Sequence, residues 1–373
     1  MRYCRKCVQP DTRPGIVFDD EGVCPACRFA EQNDQIDWAA RSRELGELAD
    51  YARSTNVSGY DCIVTVSGGK DSLRQALYVR DTLGLKPLLV CCSYPPEQIS
   101  ERGAYNLGNL ISLGFDTISV SPDPQVWKAL MRTGFERYGN WCKSTEMALY
   151  ASGPKVAIAY HIPVIFYGEN PAIALGEMCQ GYTVTGDGNT MKYSSNTLDG
   201  GNPEGLFLEG MTPRDAWWYY YPEDEEIEWA KLRMIYLGYY LPDFTRFKNA
   251  EVAVANGLQV RDDKPEDMGM IYEWESLDED FVVVNQMIKH MKFGFGRTTE
   301  QVIEAMRLGK LTRDEAAELV MRYDGKCADR YIKQYCGYLG ISEQRFWDIA
   351  ESYRDERIWK RNGSGEWSLQ AEP

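Results

Sequence analysis

Short apolar runs alternate with amphipathic segments through the N-terminal part of the chain. Runs with the length and the apolar, β-branched composition of buried strands lie at residues 62–66, 86–92, 116–121 and 162–170. Segments with apolar residues at helical spacing separate or follow them, at residues 73–84, 103–114, 122–139 and 146–161. Strands that alternate with helices predict an α/β fold, a mainly parallel sheet with helices on both faces. In such a sheet, ligands bind at the carboxyl ends of the strands.

The pattern changes in the later parts of the chain. Residues 176–210 are rich in Gly, Asn, Ser and Thr, which is typical of a lid or an insertion. From about residue 245 to the end, apolar residues recur at helical spacing behind capping residues, so this region is predicted to be helical. We expect the tail, residues 360–373, to be frayed. We also expect Gly153 and Pro154 to kink or break their helix.

The sequence VTVSGGKDS, residues 64–72, joins the first predicted strand to the first predicted helix of the α/β region. A turn of this kind directs backbone N–H groups and a helix N-terminus at one point, which favours an anion. Its two glycines permit positive φ angles and a close approach of the backbone to a ligand. Lys70 adds a positive charge, on what we expect to be a solvent-facing turn. The spacing is not that of a Walker A loop or a dinucleotide-binding motif.

Four cysteines near the N-terminus have the spacing of a metal site. Cys4 and Cys7 form one C-x-x-C pair, and Cys24 and Cys27 form a second. Each pair places two thiolates on one side of a turn, and two pairs complete a tetrahedron. We therefore predict a structural zinc ion with no open position for substrate. Redox or buried thiols are the alternative.

Composition and charge restrict the possible functions. The chain has 373 residues, 44% of them apolar, enough for a sizeable core. No apolar run is long enough to cross a bilayer and the start is not a signal peptide, so we expect a cytoplasmic location and no membrane partner. The net charge of −15 argues against nucleic acid as a partner. The predicted domains are a zinc knuckle at residues 1–34, an α/β domain at residues 35–240, which contains the Gly-rich insertion, and a helical region at residues 241–373.

The motifs resemble those of a known superfamily and, within it, a family. The segment SGGKDS resembles the pyrophosphatase loop of the ATP pyrophosphatases, which cleave ATP to AMP and pyrophosphate. The two C-x-x-C pairs, that loop, the sequence YGEN at residues 167–170 and the stretch NQMIKHMKFGFGRTTEQV together resemble the N-acetyl sugar amidotransferase family of bacterial surface-polysaccharide synthesis. The resemblance covers nearly the full length. It implies a fold like that of the adenine nucleotide α-hydrolases.

The resemblance also implies a reaction and a set of site residues. An acetamido group of a nucleotide-linked N-acetyl sugar would become an acetamidino group through an adenylated imidate, with release of AMP and pyrophosphate. The implied cofactors are ATP, Mg²⁺ and structural Zn²⁺. The implied catalytic residues are Lys70, Asp71 and Glu169. The implied ATP-binding residues are Ser67, Gly68, Gly69, Lys70, Asp71, Ser72, Gly168 and Asn170. Asp71 either caps its helix or helps to hold Mg²⁺, and Glu169 and Asn170 orient metal, ATP or sugar unless they form a plain turn.

Weaker candidates for binding the anionic sugar nucleotide are Lys143, His290, Lys292 and Arg297. The last three are close together in sequence, although an ordinary basic helix end explains them equally well. No residue set suggests a glutaminase, so the resemblance implies that ammonia comes from a separate glutaminase pair similar to the subunits of imidazole glycerol phosphate synthase.

Two other classes of protein remain open. The first is a tRNA-modifying ATP pyrophosphatase of the thiolase type, which would need a basic surface and paired catalytic cysteines. Cys142 and Cys179 are isolated in the sequence, and this counts against that class. The second is a non-enzymatic zinc-ribbon adaptor with a degenerate loop, and the intact loop counts against it.

Overall fold

The computed structural model describes residues 1–168, 187–193, 198, 200–363 and 365–373. Its strands, in chain order, are β1 (Cys62–Thr65), β2 (Pro87–Cys92), β3 (Thr117–Val120), β4 (Val164–Tyr167), β5 (Arg233–Tyr236), β6 (Trp359–Arg361) and β7 (Trp367–Leu369). The first five form one sheet in the order β3-β2-β1-β4-β5, and all their pairings are parallel. The predicted α/β fold class is therefore confirmed.

The helices surround the sheet and build the C-terminal region. Those up to the end of the sheet are α1 (Pro25–Glu31), α2 (Trp38–Ser54), α3 (Lys70–Leu77), α4 (Glu101–Ser112), α5 (Pro124–Tyr138), α6 (Cys142–Tyr160) and α7 (Asp224–Trp229). Those after β5 are α8 (Leu237–Tyr240), α9 (Arg246–Ala255), α10 (Pro265–Met268), α11 (Phe281–Phe293), α12 (Arg297–Arg307), α13 (Arg313–Tyr323), α14 (Asp329–Leu339) and α15 (Glu343–Ser352).

The two faces of the sheet belong to different cores because successive side chains of a strand point to opposite faces. Ile63 of β1 lies in a core with Trp127 of α5 and the bulky side chains of α11 and α14. Its neighbour Val64 lies in a second core with Leu73 of α3 and the apolar residues of α2. Every residue of β2 and β4 is buried, as expected for strands covered on both sides.

The chain order places two loops next to each other at the carboxyl edge of the sheet. β1 pairs with β2 on one side and with β4 on the other, so the sequence order of the strands reverses between β1 and β4. A crevice outside the strand ends at such a reversal is where ligands bind in open α/β sheets. The loops that follow β1 and β4 carry SGGKDS and Gly168.

One local prediction is wrong, and another is answered in part. Pro154 lies inside α6, which continues from Cys142 to Tyr160, so the helix is not broken there and the kink stays a prediction. The tail is not frayed, because β6 and β7 pair as an antiparallel hairpin and Trp359 is buried, with its indole N–H donating to the Met291 carbonyl at 2.7 Å. Among the described residues, no helix combines the length and the apolar character required to cross a bilayer.

Candidate functional site

The SGGKDS segment forms a sharp turn between β1 and α3. Gly68 has a φ of 89°, which a residue with a side chain rarely adopts, and a Cβ there would lie 3.0 Å from the Leu107 backbone nitrogen of α4. Gly69 is the N-cap of α3 with an ordinary φ of −77°. The positive φ expected from the sequence is therefore found at Gly68 alone, where tight packing against α4 requires it.

The turn presents hydrogen-bond donors at the start of α3. Among the described residues, none accepts a hydrogen bond from the backbone N–H groups of Lys70, Asp71 or Ser72. The Ser72 hydroxyl donates to the Gly69 carbonyl at 3.1 Å and holds the turn closed. Unsatisfied N–H groups at a helix N-terminus suit a phosphate, so the donor set at this turn fits the polyphosphate of ATP.

Lys70 is buried at the base of this turn, which corrects the expectation of a solvent-facing side chain. Only 7% of the residue is exposed. Its ammonium nitrogen lies 2.8 Å from Asp71 Oδ2 and 3.0 Å from Glu275 Oε1. Burial alone would lower the pKa of Lys70, but the Asp71 and Glu275 carboxylates outweigh that effect and raise it. The lysine therefore stays charged although it is buried.

Glu275 holds three cations around one buried carboxylate. Besides Lys70, it contacts Arg246 Nη1 at 2.7 Å and Arg297 Nη2 at 2.8 Å. Burial alone would raise the pKa of Glu275, but the three cations together lower it well below its ordinary value. Arg246 is fixed further by Glu304, whose Oε2 lies 2.8 Å from its Nε. Side chains of the C-terminal region therefore fix the turn after β1 through its buried lysine.

Asp71 is oriented toward the edge of the site by a second contact with that region. Asn249 of α9 is buried and donates to Asp71 Oδ1 at 2.6 Å, while it accepts from Arg74 Nη1 at 2.7 Å. The Asp71 side chain remains 46% exposed. It is thus held in place but open to solvent, as a carboxylate ligand of Mg²⁺ must be.

A second carboxylate, Asp278, lies beside the turn. It hydrogen-bonds with the Ser67 hydroxyl, and a Cβ on Gly69 would lie 3.9 Å from its Oδ1. Burial raises the pKa of Asp278 to about 6, and the Ser67 hydrogen bond opposes the rise. Asp71 and Asp278 provide oxygen donors near the open N–H groups, so the residues present fit Mg²⁺ as well as ATP.

The loop after β4 approaches the same point. A Cβ on Gly168 would lie 2.8 Å from Gln75 Oε1 and 3.6 Å from Asp71 Cβ, so Gly168 packs directly on α3. The structure therefore brings Gly168 together with the SGGKDS turn. The predicted residues Glu169 and Asn170 lie outside the described residues, as do Cys179 and most of the predicted insertion.

The four candidates for sugar binding do not form one group. Arg297 belongs to the Glu275 cluster beneath the turn. Lys143 and Lys292 both lie near Tyr138. The Lys143 ammonium nitrogen is 5.6 Å from the centroid of the Tyr138 ring, and the Lys292 ammonium group donates to the Tyr138 carbonyl oxygen at 2.5 Å. His290 packs edge-on against Trp359, 5.1 Å between ring centroids, in the core under the C-terminal hairpin. Successive turns of α11 and α12 direct the side chains of residues 290–297 to different neighbours, and their part in sugar binding stays a prediction.

The N-terminal cysteines form a separate candidate metal centre. The sulfur atoms of Cys4, Cys7, Cys24 and Cys27 all lie within 4.8 Å of one another, and all four residues are buried. Cys7 Sγ and Cys24 Sγ are 3.8 Å apart. A tetrahedron with zinc–sulfur bonds of ~2.3 Å has edges of about 3.8 Å, so the cluster fits zinc. The backbone N–H groups of Lys6 and Cys24 donate to Cys4 Sγ, as expected around a thiolate ligand.

The knuckle packs on the C-terminal region. Its apolar residues share a core with Val302 and Ile303 of α12 and Val320 of α13. Arg307 Nη2 also lies 3.9 Å from Cys24 Sγ, where its charge opposes the negative charge of a four-thiolate site. The metal centre is therefore built on the helix that also provides Arg297.

Sequence reasoning missed several residues of the site. Arg246, Asn249, Glu275 and Asp278 lie far from SGGKDS in sequence, and none belongs to a recognisable motif. The sequence contained only a weak signal for these residues, which is the group of charged residues at 275–280 that interrupts an apolar pattern just before α11. In that segment Glu279 accepts hydrogen bonds from the N–H groups of Phe281 and Val282 at the start of α11.

Comparisons with known proteins show a similarity for the C-terminal part of the chain. A family model described as LPS biosynthesis protein WbpG-like, C-terminal domain, matches residues 243–372. The comparison with curated proteins found no match. Among solved structures, NMN synthetase from Francisella tularensis is similar with 16% identity and a TM-score of 0.27, over 52% of this chain and 93% of that chain. A TM-score this low establishes neither fold nor function, and the fold assignment depends on the strand order instead.

Proposed function

We propose that the chain is an ATP-dependent enzyme of lipopolysaccharide biosynthesis that converts the acetamido group of an N-acetyl sugar to an acetamidino group. The sugar is linked to a nucleotide. ATP is cleaved between its α- and β-phosphates, and AMP and pyrophosphate are released. The similarity of residues 243–372 to a WbpG-like domain supports the biosynthetic context. The resemblance of the sequence motifs to the N-acetyl sugar amidotransferases supports the particular reaction.

The turn after β1 is the observation that carries this proposal. It combines open backbone N–H groups at a helix N-terminus with a buried, charged lysine, at the reversal of strand order in a parallel sheet. An acetamide oxygen is a poor leaving group, so its displacement by ammonia requires activation. Attack of that oxygen on the α-phosphorus of ATP forms an adenylated imidate, and ammonia then displaces AMP. No covalent enzyme intermediate is required, because positioning and charge stabilisation suffice.

Each residue of the turn has a proposed role that follows from its position. The N–H groups of Lys70, Asp71 and Ser72 bind the β- and γ-phosphates, and the Lys70 ammonium stabilises the charge that develops on the departing pyrophosphate. Asp71 and Asp278 provide oxygen ligands for Mg²⁺. Glu169 and Asn170 stay predictions, as does the contribution of Lys143 and Lys292 to binding of the sugar nucleotide.

The source of ammonia is the second part of the proposal. The chain has 2 histidines, His161 and His290. His161 is the C-cap of α6 and His290 is packed against Trp359, and these positions support a separate source of ammonia. We propose a separate glutaminase pair as the partner, in the cytoplasm. Free ammonium at raised concentration should replace that pair, whereas glutamine alone should not support turnover.

The test is a product assay with purified protein, ATP, Mg²⁺, ammonium and a panel of acetamido sugar nucleotides. AMP and pyrophosphate should form only with a sugar substrate, together with a product lighter by the difference between O and NH. Lys70→Ala should lower turnover by roughly 10²-fold or more, the cost typical of losing one preorganised charge or donor. It should still fold, because Glu275 keeps Arg246 and Arg297 as partners.

Lys248→Ala is the matched control, since Lys248 is on α9 and, among the described residues, its ammonium group pairs only with Glu251 at the surface. ADP and orthophosphate as products would contradict the proposal, as would tight tRNA binding that persists at physiological salt, where weak non-specific contacts are lost.

A further inference from the structure

A continuous row of ion pairs connects the cysteine knuckle to Lys70 of the SGGKDS turn, residues 67–72, which we call the ATP turn after its proposed ligand. Arg13, between the two C-x-x-C pairs, contacts Glu300 of α12 at 2.7 Å. Glu300 contacts Arg297 at 3.1 Å, and Arg297 contacts Glu275 at 2.8 Å. Glu275 contacts Lys70 at 3.0 Å. We call these five residues the ion-pair chain.

Low solvent exposure distinguishes the ion-pair chain from ordinary surface salt bridges. Its side chains are between 1% and 27% exposed, with Glu275 at the lower limit and Arg297 at the upper. Buried pairs are screened little by solvent, and removal of one partner leaves a charge without compensation. Burial alone would raise the pKa of Glu300, but Lys289, Arg13 and Arg297 lower it well below its ordinary value. The carboxylates are therefore ionised and hold their cations strongly.

Arg13 is held by one residue of the knuckle and by one of the C-terminal region. Its Nε donates to Gln9 Oε1 at 3.1 Å, and its guanidinium lies 4.6 Å from the centroid of the Phe295 ring. Displacement of Arg13 would leave Glu300 with Lys289 and Arg297 as its cations. Arg297 would then be drawn toward Glu300 and away from Glu275, because it is shared between the two carboxylates. Glu275 is the carboxylate that holds Lys70.

We propose that Arg13, Glu300, Arg297 and Glu275 are positioning residues that set the place of the Lys70 ammonium group, so that the knuckle controls the affinity of the turn for the polyphosphate of ATP. This inference rests on the proposed binding of ATP by the turn. It adds a function for the knuckle beyond the binding of its own metal: the knuckle carries the first member of a row of charges that ends at the phosphate site.

The test measures the affinity for an ATP analogue that cannot be cleaved between its α- and β-phosphates, by calorimetric titration of the full chain. Arg13→Gln should weaken binding on the order of tenfold, within the range typical of coupling between sites. Arg13→Lys should restore most of the affinity, because an ammonium group can still pair with Glu300. Arg2→Gln is the control, since Arg2 is in the same knuckle and pairs with Asp11 but is 81% exposed and outside the ion-pair chain.

A second comparison separates positioning from a general structural effect. In a Lys70→Met background, Arg13→Gln should weaken analogue binding no further, because the group that it positions is already absent. If Arg13→Gln weakens binding equally in both backgrounds, or not at all in the wild-type background, the inference is wrong while the proposed function stands. If the wild-type chain does not bind the analogue, both proposals fall. If Arg13→Gln does not fold, Glu300→Asp, which keeps the charge but shortens its reach, provides the same comparison.

Discussion

Two glycines of α4 provide a matched test of how the C-terminal region holds the ATP turn. A Cβ on Gly103 would lie 2.2 Å from the Asp278 carbonyl oxygen, whereas a Cβ on Gly108, on the same helix, would have no neighbour within 4 Å. Neither residue has a positive φ, so alanine is compatible with the backbone at both positions. The two substitutions therefore differ mainly in what the new methyl group meets.

The expected magnitudes follow from that difference. Gly108→Ala should stabilise the protein by about 0.5–1 kcal/mol, the gain of alanine over glycine within a helix. At Gly103 the carbonyl must retreat by about 1.1–1.4 Å to reach an ordinary C···O distance. Such overpacking costs about 1–3 kcal/mol. The shift also weakens the hydrogen bond from the Ser100 N–H to that carbonyl, now 3.0 Å long and worth about 1 kcal/mol. The two variants should thus differ by about 2–4 kcal/mol in the free energy of unfolding.

Urea unfolding of both variants, followed by tryptophan fluorescence and far-ultraviolet circular dichroism, measures this difference. Gly103→Ala should also weaken binding of the ATP analogue, because it displaces Asp278 from Ser67, while Gly108→Ala should leave binding unchanged. Equal stabilisation by both substitutions would refute the argument, since it would mean that residues 277–280 do not press on α4. Equal analogue affinity in a clearly destabilised Gly103→Ala protein would show that Asp278 does not contribute to the site.

Two further predictions concern the knuckle and a buried carboxyl group. Metal analysis of freshly purified protein should show that Cys24→Ser has lost most of its zinc. Cys336→Ser, which replaces a buried cysteine of α14 outside the cluster, should keep its zinc. Full zinc content in Cys24→Ser would exclude the four-cysteine site. Burial raises the pKa of Glu146 to about 7, against Lys143 and Lys289, so its favourable contribution to stability is complete below its ordinary pKa and is lost as the pH rises through 7. Glu146→Gln should therefore gain in stability relative to the wild type between about pH 4.5 and 7, by at most ~1.4 kcal/mol per pH unit, and a difference independent of pH would contradict this.

The sequence predicted the part of the fold that depends on local pattern. The first four strands of the sheet lie within the apolar runs, because a strand covered on both faces has a continuous apolar composition that few other segments share. β5 follows an acidic helix in a segment of mixed aromatics, where no period is visible, and it was missed. The C-terminal hairpin was missed because β6 and β7 contain 3 residues each, and the burial of Trp359 is decided by contacts with α11.

The site was predictable only where it is local. SGGKDS is a contiguous motif, and its turn has the donors that the motif implies. Lys70 was expected to be exposed to solvent because charged residues in turns usually are. Its partner Glu275 lies about two hundred residues later in the sequence, and no residue near Lys70 indicates that the two form an ion pair. Likewise, His290, Lys292 and Arg297 are close together in sequence and were considered together as candidates for binding the sugar nucleotide. In the structure, their positions at the end of α11 and the start of α12 place their side chains against different neighbours.

The C-terminal region provides part of the candidate site and is not merely attached to a complete α/β domain. Four side chains of the site come from the segment that resembles the WbpG-like domain. Arg246 and Glu275 fix Lys70, the Asn249 amide orients Asp71, and the Asp278 carboxylate lies beside Ser67. The same segment supplies Phe244, Ala253 and Leu258 to the core on one face of the sheet. A chain that ended before residue 243 would therefore lose part of that core together with every one of these contacts. In the proposed function the turn specifies only how ATP is held, so the identity of the proposed sugar substrate must depend on residues beyond the turn. The C-terminal region, already in contact with Lys70 and Asp71, is the part of the described chain best placed to provide them.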